Sequence, residues 1–172
     1  MQLVPSILLA ASLMAALSDL RVGRISNWLS YSLAAIALLL NALSGPIPGL
    51  ISLLVMIAVL AASLPIFAFG LLRGGDVKMI VACSGLLSYH YFLQFILYTM
   101  LMGGFVALTV AWRAGMLRRS IQSVGSALHP LLQGIAPSSL PFTTAKIPYG
   151  VAIFAGASLT ILAMTAIPAL RL

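Results

Sequence analysis

The chain has two acidic residues among 172, and each stands at the rim of an apolar run. Asp19 closes the run that begins at Leu3, in the context LSDLRVGRISN. Asp76 follows Leu50–Phe69, a stretch without charge, in the context RGGDVK. A carboxyl at a membrane segment is costly to bury and marks a functional position by default. Two carboxyls within a few ångströms cannot both ionise easily, so one retains its proton. Such a pair can perform aspartic-peptidase chemistry: one member takes a proton from water while the other gives one to a carbonyl oxygen. No side-chain nucleophile is required, and no convincing Ser-His-Asp set is present. Gly74 and Gly75 would let a backbone pass close to Asp76. The alternative is that both carboxylates face water and pair with Arg21, Arg24, Arg73 or Lys78. Against it stands their rarity: a chain that uses no other acid for solubility has placed two at matching depth.

The elements that must position these residues follow from composition. Hydrophobic residues make up 62% and charged residues 6%, whereas soluble domains carry about 25% charged residues. The expected fold is all-α, a polytopic membrane bundle of about six transmembrane helices in a single domain over residues 1–172. Apolar stretches run over about Leu3–Leu17, Trp28–Leu43, Leu50–Leu72, Val77–Leu87, Phe92–Trp112 and Tyr149–Leu170. The fourth and fifth are separated by argument. Met79–Trp112 has no charge, and as one straight helix it would be about 51 Å long against a hydrocarbon core of about 30 Å. A break is expected at Ser84–Tyr91, where the sequence reads SGLLSYHY.

Charge supports this division. With the N-terminus outside, the loops at 18–27, 73–78 and 113–146 share one side and hold eight of the nine basic residues. The loops at 44–49 and 84–91 hold none. That is the positive-inside pattern, and it accounts for the net charge of +7 without nucleic acid. The absence of Lys or Arg before the first apolar run argues for a first span rather than a cleaved signal. Asp19 and Asp76 then lie at the cytoplasmic ends of helices. One cysteine, Cys83, excludes an intramolecular disulfide and a multi-cysteine zinc site. His90 and His129 lack ligand spacing, so no metal is expected. Ile121, Val124, Leu128 and Leu131 fall at helical spacing and suit an interfacial amphipathic segment. Pro65 reads as a kink in the third span, and Trp28, Tyr89, Tyr91 and Trp112 read as interfacial anchors. Lys78 is either a topology signal or a modulator of Asp76.

Three stretches, in order, carry a resemblance. Asp19 with Arg24-Ile25-Ser26-Asn27 resembles the D-x4-R-I-P-N element of the type IV prepilin peptidases. Gly74-Gly75-Asp76-Val77-Lys78 resembles their G-x-G-D-x-K element, and Lys146-Ile147-Pro148-Tyr149-Gly150-Val151-Ala152-Ile153 resembles the segment that leads into their last span. The resemblance covers essentially the whole chain. It implies a membrane aspartyl endopeptidase of the GxGD type in the bacterial inner membrane. Such an enzyme removes the leader of prepilins or pseudopilins at the cytoplasmic face, with Asp19 and Asp76 as its catalytic pair. The compact size resembles the short form that serves tight-adherence (Flp-type) pili. The resemblance further implies that Gly74, Gly75, Lys78, Arg24, Asn27 and Tyr149 shape the site or bind substrate. No cofactor is expected: the extra domain with paired cysteines that accompanies N-terminal methylation in longer relatives is missing, and no S-adenosylmethionine motif is visible. Two positions depart from the pattern. Arg73 replaces the first glycine of G-x-G-D, and Ser26 replaces the proline of R-I-P-N, leaving Asn27 to cap the following helix.

Two other classes remain open on the sequence. A small ion-coupled carrier could use both aspartates as proton or cation sites, although carriers favour midplane acids and repeated broken helices. A non-catalytic pilus or secretion scaffold could use them merely to pair arginines. The lipid bilayer and a prepilin are the expected partners. No oligomeric state is assigned.

Overall fold

The computed structural model describes residues 3–68, 70–113 and 148–166, apart from the side chains of 88–90 and 111. The elements described are α-helices: α1 Leu3–Val22, α2 Asn27–Leu43, α3 Pro46–Ala68, α4 Gly74–Arg113 and α5 Tyr149–Ala166. No strand occurs among the described residues. Leu3–Val22, Pro46–Ala68, Tyr91–Val110 and Tyr149–Ala166 are each long and apolar enough to cross a membrane. The expected all-α membrane bundle is therefore what the chain forms. The segment 121–131, with Arg118, Arg119, His129, Lys146 and the side chain of His90, lies outside the described residues.

The chain divides into two compact units, Met1–Gly103 with Pro148–Leu172, and Gly104–Ile147. Of the second unit only Gly104–Arg113 is described, as the final turns of α4. The first unit holds both aspartates.

Helix periodicity sets which residues meet in that unit. On α1, Leu8, Ala11, Ser12, Ala15, Ala16 and Asp19 form one buried stripe, the spacing of a single helical face. Asp19 thus points inward because it continues the face of Leu8 and Ala15. On α5 the matching stripe is Gly150, Ala152, Ile153, Gly156, Ala157 and Thr160. These are mostly small residues, which let helices approach closely where lipid offers no hydrophobic drive. The two stripes pack on each other. Helices α2 and α3 form a hairpin around Gly45, whose φ of 141° favours glycine.

Helix ends are set by local chemistry. Gly23, at φ 71°, ends α1 and donates its N–H to Asp19 O at 2.8 Å. Gly70, at φ 73°, ends α3: its N–H bonds Phe67 O at 2.9 Å, and Leu71 N–H bonds Ile66 O at 3.2 Å. That pairing is the left-handed glycine stop of a Schellman motif.

Helix α4 differs from expectation in an instructive way. The sequence argues for a non-helical break at Ser84–Tyr91, yet the backbone is helical from Gly74 to Arg113. Straight, its Asp76 and Gly103 would stand about 40 Å apart. Both nevertheless lie beside Tyr149: Asp76 acts on it electrostatically, and a Cβ on Gly103 would lie 2.6 Å from the Tyr149 hydroxyl oxygen. The helix therefore bends back on itself, and the reversal inferred from length survives without a loop. Ser84-Gly85 is the sort of small-residue pair at which helices kink. The Gly85 carbonyl accepts bonds from Ser52 Oγ at 2.8 Å and Asn41 Nδ2 at 3.3 Å, so side chains of α2 and α3 clasp the ladder there. Between Asp76 and Leu87 every residue but Lys78 is buried. A limb buried on all sides needs no lipid-facing length, which is why it can be so short.

Candidate active site

Asp76 lies in the first turn of α4 rather than in the loop 73–78 that the sequence suggested. Arg73 is the N-cap, its carbonyl accepting from Val77 N–H at 3.1 Å. Asp76 Oδ2 in turn accepts the Arg73 N–H at 3.1 Å. This is the acidic half of a capping box, with the third helical residue reaching back to the cap. One carboxylate oxygen is thereby fixed, and the other stays available for chemistry.

Asp19 is held in the same way by a different helix. Its Oδ2 accepts the Gly150 N–H, at the start of α5, at 2.7 Å. Anionic side chains suit helix N-termini, where unpaired N–H groups and the helix dipole meet them. Asp19 and Asp76 are 5% and 4% exposed, so both are withdrawn from bulk water. Asp76, just outside the apolar spans, has its pKa raised to about 6. Burial is the main cause. The Arg73 N–H bond opposes it, the Asp19 charge adds to it, and the Arg73 charge again opposes it. Burial and the Asp19 charge thus both favour the protonated form of Asp76.

Close backbone approach brings the elements together. A Cβ on Gly75 would lie 3.1 Å from Ile25 O, so any larger residue there would push α4 a few tenths of an ångström off the α1–α2 turn. Gly74 has room, its nearest neighbour being Phe67 Cε2 at 3.8 Å. Of the two glycines, Gly75 is the one that meets another segment of the chain closely. A Cβ on Gly150 would lie 2.8 Å from Asp19 Cβ and 2.9 Å from Ala15 O. Sequence reasoning quoted Gly150 within a motif without assigning it a role. Its signal was positional: a glycine just inside a helix opened by Pro148.

The other candidates are placed as follows. Asn27 was expected to cap α2, but Ser26 is the N-cap, without a side-chain cap bond. Asn27 Oδ1 instead accepts from Lys78 Nζ at 3.0 Å. The Lys78 ammonium also lies 4.9 Å from the centre of the Tyr31 ring, so it ties α4 to α2 and is not among the causes acting on Asp76. Arg24 is exposed, and its carbonyl accepts Ser18 Oγ at 2.9 Å. Tyr149 is half-buried, between Asp76 and Gly103. Among the described residues neither carboxylate forms an ion pair; the Arg73 guanidinium goes to Gly23 O at 2.7 Å. The pairing that the scaffold alternative requires is not made there.

The site thus holds two buried carboxyls, each accepting a backbone N–H at a helix start in a helical membrane protein. The sequence model of the type IV leader peptidase family matches residues 6–108, more than half of the chain, and the protein belongs to that family. No curated protein and no solved structure gives a significant match.

Proposed function

We propose that this peptidase cleaves the leader of type IV prepilins or pseudopilins, of the Flp type, with Asp19 and Asp76 as its catalytic dyad. The observation that carries the reading is the convergence of the chain's two acids into one buried site where the Asp19 charge bears on Asp76. Asp76, the member whose protonated form burial favours, donates its proton to the scissile carbonyl oxygen. Asp19 accepts a proton from the attacking water, whose oxygen bonds to the carbonyl carbon. The tetrahedral diol then collapses: Asp19 passes its proton to the leaving amine, one diol hydroxyl returns a proton to Asp76, and the carbonyl is restored as that of the new carboxyl group. No cofactor or metal enters this scheme. Gly75 and Gly150 allow the close contacts, Arg24, Asn27 and Lys78 hold the α1–α2 turn and its link to α4, and Gly74 and Tyr149 border the path of the substrate backbone.

In this reading residues 1–172 form one multi-pass peptidase domain of the bacterial inner membrane, its N-terminus outside and its site toward the cytoplasm. The distribution of Lys and Arg supports that orientation. The test is cleavage of a Flp-type prepilin in membranes by the native chain, Asp19→Asn and Asp76→Asn at matched expression. Loss in both variants, with the fold retained, is the expected result. Cleavage that survives in either one removes the dyad.

A further inference from the structure

The two aspartates come from segments far apart in the chain, so something must hold the end of α1 against the start of α4. The glycine contact at Gly75 and Ile25 permits that approach but does not fasten it. Arg73 does. Its guanidinium Nη1 donates to Gly23 O at 2.7 Å, while its own N–H donates to Asp76 Oδ2 at 3.1 Å. Gly23 in turn donates its N–H to Asp19 O at 2.8 Å. An unbroken chain of hydrogen bonds therefore links the Asp19 main chain, the left-handed Gly23 stop, the Arg73 side chain and the Asp76 carboxylate.

We propose that Arg73 is a positioning residue of the site, a strap that fastens the α1–α2 turn to the start of α4 and so sets the placement of Asp76 relative to Asp19. The inference rests on the dyad reading for its catalytic consequence, but its structural part stands apart from it. A cation that merely turned outward to lipid headgroups would not spend its guanidinium on a carbonyl 50 residues away in sequence. Among the described residues, the other charged or titratable groups around Asp76 are Asp19 on α1, Tyr149 on α5 and Lys78, two residues along α4. Lys78 is engaged with Asn27 and Tyr31, so Arg73 is the cation that acts on Asp76.

The variant Arg73→Gly isolates the side chain. Glycine is tolerated at an N-cap, and the backbone N–H that holds Asp76 remains. Native protein, Arg73→Gly, Arg73→Gln and Arg73→Lys are compared in lipid nanodiscs by amide hydrogen exchange and by the pH profile of prepilin cleavage. Arg73→Gly is expected to speed exchange at Gly23 and across Gly74–Val77 by roughly ten-fold, and to lower kcat/KM by about ten-fold. Its alkaline limb should move to higher pH, because a neighbouring cation is lost. Arg73→Gln keeps a donor for Gly23 O without the charge: near-native exchange with the displaced limb is expected. Arg73→Lys should keep the limb in place. If Arg73→Gly does not accumulate, Arg73→Met, which retains the stem and removes the donor, carries the same test. Native exchange at both junctions in the donor-free variant overturns the strap, whatever its activity. Cleavage persisting in Asp19→Asn or Asp76→Asn instead overturns the dyad, and the exchange data still decide the strap.

Discussion

Asp76 has its pKa raised from 3.8 to about 6, and this gives the site a pH signature with a definite sign. The folded protein binds that proton more tightly than the unfolded chain. The proton-linked stability is therefore full below the unfolded value of 3.8 and is lost as pH rises through about 6. The difference amounts to roughly 3 kcal/mol, at about 1.4 kcal/mol per pH unit. Replacing Asp76 by Asn, which is neutral and can still accept the Arg73 N–H, removes that burden. Thermal unfolding in detergent at pH 7.5 should show Asp76→Asn more stable than native by up to about 3 kcal/mol, an advantage that fades toward pH 4. A salt-bridged carboxylate would behave oppositely and destabilise on neutralisation. In catalysis the acid member must be protonated, so kcat/KM should fall as pH rises above about 6. A profile flat from pH 5 to 8 would rule out Asp76 as that acid.

The helices carry this site through contacts that admit almost no extra atoms. Gly150→Ala would place a methyl 2.8 Å from Asp19 Cβ and 2.9 Å from the Ala15 carbonyl oxygen, and main chain cannot step aside as a long side chain can. Overpacking of this kind costs about 1–3 kcal/mol, and the Asp19–Gly150 bond should lengthen or break. Loss of cleavage with a lowered unfolding temperature is expected; native activity in Gly150→Ala would show that α5 does not position Asp19. Within α4, combining Asn41→Ala with Ser52→Ala strips the Asn41 and Ser52 side-chain donors from the Gly85 carbonyl. A decrease of about 1–3 kcal/mol is expected for the pair, with Ser52, the shorter bond at 2.8 Å, accounting for more of it. The helices themselves were legible in the sequence because apolar run lengths and basic clusters are one-dimensional signals. So were Asp19 and Asp76, as the two acids present. Three features were not legible. The backbone of α4 is helical over Gly74–Arg113, whereas polar residues at 84–91 read as a loop. Asn27 looked like a cap because residue type alone does not reveal that Lys78 claims its side chain. Gly150 contributes a backbone N–H, a group that every non-proline residue has and no sequence pattern singles out.

At the scale of the whole chain, eight of nine basic residues fall in loops assigned to one side of the membrane. Alkaline phosphatase fused after Gly45 should be active, being exported, and fused after Leu71 should be inactive; the reverse result inverts the orientation of the site. The bond between Asp19 and Gly150 joins residues 131 positions apart, and this bears on when the protein becomes an enzyme. Helices enter the membrane in the order in which they are synthesised. Asp19 is inserted with the first helix and Asp76 with the start of the fourth, but the N–H that orients Asp19 arrives only with Gly150. A nascent chain still on the ribosome holds both acids and lacks the group that aims one of them. On the dyad reading, the site is complete only once α5 has docked on α1.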